Sequence, residues 1–244
     1  MSRRSKSPVG DLFDEYDAPK RAVKPAFVAK QIGFKTKKQE TYYNAIMNNT
    51  ITVSTGVPGT GKSFIAVYAA CQALAAGHVE KIILTKPIVE IGDTAGFLPG
   101  DIEEKMAPFI RSVEECFTDI IGANGYNNLI TRRQLEILPI NYMRGLTFAK
   151  TMVIADEMQN ADYRQVKALL TRIGEGTKYV LNGDLEQSDL HSRSGLPAAI
   201  DVLQDVNNVE FVDFDVDDIV RSGILKEIII GYHNFERERR LEKT

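Results

Sequence analysis

The stretch "ITVSTGVPGTGKSFIA", residues 51–66, constrains the fold of this chain more than any other. A β-branched apolar run stops at Gly56, a glycine-rich turn follows, and a helical pattern begins at Lys62. Gly56-Val57-Pro58-Gly59-Thr60-Gly61-Lys62-Ser63 fits G-x-x-x-x-G-K-[ST], a loop whose amide N–H groups turn inward around the β- and γ-phosphates of a nucleotide. Gly59 and Gly61 remove side chains that would block that approach. Lys62 adds a point charge on the same phosphates, the Ser63 hydroxyl ligates Mg2+, and the helix starting there presents its positive end to the anion. The expected nucleotide-contacting residues are Gly56, Val57, Pro58, Gly59, Thr60, Gly61, Lys62, Ser63 and Phe64. The plain alternative is a glycine turn joining strand to helix; the apolar strand directly before and the amphipathic helix directly after argue against it.

Strands and helices then alternate. Short apolar runs at 50–55, 80–86, 150–156, 177–184 and 209–214 read as strands, with helices at about 62–76, 102–121, 162–173, 195–204 and 217–231. Continuous rather than alternating apolarity predicts strands covered on both faces, as in a parallel sheet, and the spacing predicts right-handed crossovers. Gly77 and Gly174 stand where helices need a left-handed residue to stop. Thr36 can cap a further short helix, along which Tyr42, Tyr43, Ile46 and Met47 recur at helical spacing. At 244 residues the chain reads as one α/β domain with appendages. The connection at 87–101 holds three glycines and two prolines, and loops of that length tend to be functional.

Charge is unevenly placed. Residues 1–38 carry ten Lys/Arg against four acids, a balance of +6, while the net charge of the whole chain is −3. A basic arm over 1–35, interrupted by Pro8, Pro19 and Pro25, can attract polyanions through counterion release or simply keep the chain soluble. Residues 233–244 form a charged tail. No run approaches the roughly 18 apolar residues of a spanning helix, and the N-terminus has no apolar segment of a signal peptide. Cys71 and Cys116 lack metal-ligand spacing and read as small hydrophobes in a reducing cytosol, so a cytoplasmic protein without a membrane partner is expected.

The later strand ends hold the candidate catalytic groups. "TMVIADEMQN" is an apolar strand ending in Asp156-Glu157. A carboxylate at a strand tip beside the phosphate loop can hold Mg2+ through water, which assigns Asp156; its neighbour Glu157 can take a proton from an attacking water. An acidic pair that merely caps the helix near Asp162 and Tyr163 is the alternative. In "YVLNGDLEQSDL" the strand ends at Asn182, and Gln187 can hydrogen-bond the γ-phosphate or the lytic water; a polar turn without nucleotide contact is the other reading. Gln39 can read the adenine edge with its two-faced amide, or be an ordinary surface glutamine.

The order of phosphate loop, Asp-Glu and Gly-Asp-x-x-Gln is that of a helicase-like ATPase core. Small-molecule kinases, which bring substrate-binding arginines near the loop and need no Glu after the Asp, fit less well. From about Lys37 to Tyr232 the chain resembles the PhoH family of ATPases, themselves similar to the first motor domain of superfamily-1 helicases. The resemblance is carried by "GVPGTGKSFIA", "KPIVEIGDTAGFLPGDIEEKMAPF", "INYMRG", "VIADEMQNAD", "LLTRIGEGTKYVLNGDLEQSDL" and "DDIVRSGILKEII". It implies a three-layer αβα, RecA-like P-loop NTPase core with a mostly parallel sheet over 36–232, ATP hydrolysis, and RNA or single-stranded DNA as the substrate acted on. It also implies a hexameric ring. A lone motor domain lacks the arginines that a second domain donates, so Arg172 and Arg221 are candidates for donation in trans, a local salt bridge being the alternative for each. Lys86, Lys105, Arg132, Arg133 and Arg144 are candidate polyanion contacts, with Phe97, Phe109, Tyr126 and Tyr142 as sparse aromatics; Phe97 is a core plug under the loop or, less favoured, a pore or strand wedge. An ATP-responsive assembly or chaperone-like module acting on proteins, with the arm as partner-binding segment, is the competing function class.

Overall fold

The computed structural model describes residues 27–88, 102–143, 147–190, 193–221 and 223–241, with the side chains of 102–105, 225 and 236–241 excepted. Most of the basic arm, most of the 87–101 connection with Phe97, the Lys105 side chain and Arg144 lie outside the described residues.

Six strands form one sheet: β1 (Ile51–Gly56), β2 (Lys81–Lys86), β3 (Leu135–Pro139), β4 (Thr151–Ala155), β5 (Lys178–Asn182) and β6 (Val209–Phe214). Their order is β3-β2-β4-β5-β1-β6, and every pairing is parallel. The described residues also form six α-helices: α1 (Lys37–Asn48), α2 (Lys62–Ala75), α3 (Ile102–Thr131), α4 (Tyr163–Leu170), α5 (Leu196–Leu203) and α6 (Gly223–Leu241). Alternate strand residues face two separate cores. Ile82, Met152, Ile154 and Val180 pack with α1, α2 and α3 on one side. Ile51, Val153, Tyr179 and Leu181 pack with α4 and α5 on the other. The expected αβα layering around a parallel sheet holds, because a strand buried on both faces must be apolar at every position.

Several expectations need correcting. β3, "LEILP", is absent from the expected strands: its middle residues Glu136, Ile137 and Leu138 are only half-buried at the sheet edge, so its apolar signal is short and interrupted. β6 occupies the opposite edge; Val212 and Phe214 are buried, but Glu210, Phe211 and Asp213 are exposed, so only one face is covered. The helix expected to end at residue 121 does break at Gly122 (φ 74°), but a second helical segment continues to Thr131. α6 starts at Gly223 rather than 217, after a 3-10 turn at Val216–Asp218. Gly77 ends α2 in the left-handed conformation (φ 76°) as expected, whereas Gly174 does not adopt it. Gly174 is required for a different reason: a Cβ there would overlap the Phe148 carbonyl oxygen. Tyr126 lies buried in α3 against Phe117, out of reach of any base.

Candidate nucleotide site

β1 delivers the loop. Gly56 (φ 119°), Gly59 (φ 82°) and Gly61 (φ 85°) all take positive φ, conformations that side chains with a Cβ avoid. Val57 and Thr60 are buried under the loop, Pro58 is exposed on it, and Gly61 is the left-handed N-cap of α2. Phe64, partly buried, packs toward the α2-side core, so it offers the loop its backbone rather than its ring. The Lys62 ammonium folds back over the loop, donating to Gly56 O at 2.6 Å and Val57 O at 2.9 Å. Burial lowers its pKa, opposed by the carboxylates of Asp184, Asp156 and Glu157.

Those carboxylates come from two strand tips. The Ser63 hydroxyl donates to Asp156 Oδ2 at 2.8 Å. Burial, then the Glu157 charge, holds the Asp156 carboxyl above the ordinary carboxylate range; the Ser63 hydrogen bond and Lys62 pull the other way. Such a hydroxyl–carboxylate pair suits Mg2+, which keeps several waters and is held by one or two protein oxygens plus substrate phosphates. Among the described residues no cluster of three His, Cys, Asp or Glu is present. Glu157 stands exposed with φ 54° in the left-handed region, and Gln159 Nε2 donates to its Oε2 at 2.6 Å.

The segment after β5 closes a third side. Val57, Pro58, Asp184, Gln187, Ile228 and Tyr232 are among the residues lining a cavity of about 190 Å3. Gln187 is thus brought beside the loop. Burial raises the Asp184 carboxyl, opposed by a hydrogen bond from the Glu186 backbone N–H and by Lys62. Gln39 is only 4% exposed and presses α1 onto the loop: its Nε2 donates to Thr60 O at 2.9 Å, and its Oε1 accepts from Lys35 N at 2.9 Å. The two arginines differ. Arg172 is engaged locally, with Nε on Met143 O and Nη1 on Ala168 O, both at 2.7 Å. Arg221 is exposed beside its own chain's loop, its Cγ 3.1 Å from where a Gly59 Cβ would sit, while Val220 N donates to Gly59 O at 3.0 Å.

A family model described as "PhoH-like protein" matches residues 31–233. The chain belongs to the PhoH family. The PhoH-like protein of Bacillus subtilis (strain 168) is 40% identical over 205 residues, covering 83% of this chain and 64% of the relative. Protein PhoH of Escherichia coli (strain K12) is 36% identical over 202 residues, covering 81% and 57%. The chain therefore spans about three-fifths of the length of these relatives. Among solved structures, the Pif1 helicase of Candida albicans aligns with a TM-score of 0.33 at 14% identity, over 75% of this chain and 40% of that one.

Three features of this PhoH family site escape sequence reasoning. Asn182, 1% exposed, accepts hydrogen bonds through Oδ1 from the Tyr42 hydroxyl and, at 2.9 Å, from Ser54. Its Nδ2 forms no hydrogen bond with the described residues, yet the amide sits near enough to Asp156 to favour the anion. Gln159, 3% exposed, links Glu157 to the segment after β5. α6 walls the cavity, and its His233 pairs with Glu186 at 3.0 Å. Polar residues after the Asp-Glu pair were the available signal for Gln159; nothing local announces where α6 packs.

Proposed function

We propose that this PhoH family chain binds ATP with Mg2+ and hydrolyses it, working as a ring-forming, helicase-like motor on RNA or single-stranded DNA in the cytoplasm. The observation that carries the reading is the Ser63–Asp156 contact at the mouth of the glycine loop, with Glu157 next in the chain. Lys62 exchanges its loop carbonyls for the phosphates, and the loop N–H groups and the α2 N-terminus neutralise the rest of the anion. Ser63 and Asp156 would hold Mg2+, which supplies charge stabilisation to the transferring phosphoryl group. Glu157 accepts a proton from the attacking water, and Gln187 orients that water or the γ-phosphate. Gln39 lies where an adenine edge could compete for its amide hydrogen bonds. The hexameric ring and the nucleic-acid substrate follow from family resemblance, supported locally by exposed Arg132 and Arg133 and by Lys86, whose ammonium lies 5.1 Å from the Phe109 ring centroid.

The test measures ATP binding and phosphate release by the purified chain and its Glu157→Gln variant, with and without RNA or single-stranded DNA. The variant is expected to bind ATP and to hydrolyse it about 100-fold or more slowly, and nucleic acid is expected to stimulate the unmodified chain. Normal turnover by the variant would overturn the base assignment. No stimulation by either polymer would turn the reading toward a module acting on proteins, and phosphoryl transfer to an acceptor other than water toward a kinase.

A further inference from the structure

We infer that Gln159 is a positioning residue that holds the Glu157 carboxylate and ties it to the segment reporting on the γ-phosphate; this rests on the reading of Glu157 as the hydrolytic base. The side chain of Gln159 is 3% exposed and used at both ends. Its Nε2 donates to Glu157 Oε2 at 2.6 Å, and its Oε1 accepts from Asp184 N at 3.0 Å. The two partners fix the amide orientation: turning it over would set its oxygen against a carboxylate and its NH2 against an N–H, losing both bonds.

The same short turn is fastened to the segment after β5 at further points. The Ser188 hydroxyl donates to Gln159 O at 2.8 Å, and Asp189 N donates to Asn160 Oδ1 at 2.9 Å. Gly183 lets the two segments approach, since a Cβ there would lie 3.2 Å from Gln159 Oε1 and run into Leu196. Asp184 and Gln187, both lining the cavity beside the loop, therefore sit on a segment that cannot shift without moving the amide that holds Glu157.

A base of this kind needs such a holder. Glu157 is exposed and its side chain has several rotatable bonds, so an unheld carboxylate would sample many positions, only a few within reach of the attacking water. One donor from a buried amide narrows that sampling. The second bond makes the restraint responsive, because a displacement of Asp184 would reach Glu157 through the Gln159 side chain.

The experiment compares Gln159→Leu and Gln159→Glu with the unmodified chain, measuring ATP affinity by equilibrium titration and kcat well below each variant's Tm. Gln159→Leu removes both bonds at similar volume. Gln159→Glu keeps an acceptor for Asp184 N but replaces the donor to Glu157 with a like charge. Both are expected to lower kcat roughly 10–100-fold, the range for loss of a partner that orients a functional side chain, with ATP affinity within about twofold of the unmodified chain. Unchanged kcat in Gln159→Glu while Glu157→Gln is inactive would overturn the inference alone. A kcat loss matched by an equal loss of ATP affinity would also overturn it, making Gln159 a general support of the site. Normal turnover by Glu157→Gln would sink the base assignment underneath, whatever Gln159 does.

Discussion

Ser63 Oγ and Asp156 Oδ2 lie 2.8 Å apart, so the first turn of α2 and the tip of β4 meet at one hydrogen bond. The cost of that meeting falls on Asp156, whose carboxyl is pushed upward by burial and by Glu157. A carboxyl raised in the fold weakens the nucleotide-free protein above its folded pKa, and the penalty disappears as pH falls below the unfolded value near about 3.9. Asp156→Asn should therefore stabilise the nucleotide-free chain at neutral pH by about 1 kcal/mol, roughly 2–4 °C in Tm for a chain of this length. The gain should shrink on acidification, and Mg2+-dependent ATP turnover should be lost. Thermal melts at several pH values check this; a variant less stable than the unmodified chain at neutral pH would contradict it.

Lys62 makes the second prediction. Its ammonium bonds to Gly56 O and Val57 O and lies 5.8 Å from the Phe214 ring centroid, so the charge is already aimed at the loop interior. A hydrogen bond from a charged donor is worth about 1.5–3 kcal/mol, which converts to roughly 10–100-fold in affinity. Lys62→Ala should weaken ATP binding by that factor in calorimetric titration. Unchanged affinity would mean that the triphosphate binds elsewhere.

Legibility varied with how local each cause was. The glycine loop, Asp156-Glu157 and five of the six strands could be read because each is a contiguous pattern with one physical origin. β3 could not, since a half-buried edge strand carries only part of the apolar signal. Gly174 looks like a helix stop in the sequence, but its requirement comes from Phe148, 26 positions away in the chain, and no local pattern encodes that approach. Gln159 and Asn182 look like ordinary polar residues until the fold brings Asp184, Tyr42 and Asp156 to them.

Two glycines with positive φ should respond differently to the same substitution. Gly56 (φ 119°) pairs with Phe214 across β1 and β6, and a Cβ there would overlap the Phe214 carbonyl oxygen. Gly77 (φ 76°) has nothing within 4 Å of the added Cβ. Gly77→Ala should cost only the backbone penalty, about 1–2 kcal/mol. Gly56→Ala must move a strand as well and should cost about 4 kcal/mol or more. Urea unfolding of both variants distinguishes the cases; equal losses would show that the Gly56–Phe214 approach is not tight.

Arg221 carries the last prediction. The guanidinium of Arg172 is bonded to Met143 O and Ala168 O within its own chain, whereas Arg221 is exposed with its stem against Gly59, on a segment fastened to the loop by Val220. Of the two, Arg221 can turn to a phosphate bound on its own chain's loop without breaking a described hydrogen bond. An arginine at the transferring phosphoryl group is worth roughly 10³–10⁵ in rate, so Arg221→Ala should lower kcat by about 10³ while Arg172→Ala acts mainly through stability. Mixing Arg221→Ala with Glu157→Gln subunits separates the two geometries. A donor acting across a subunit boundary would restore turnover, because the Glu157→Gln neighbour brings an intact arginine to a site with an intact base. Action within one chain predicts no restoration, and that is the expected result. Recovered turnover in the mixture would assign the arginine to the neighbour, and its absence in mixed assemblies would assign it to its own chain.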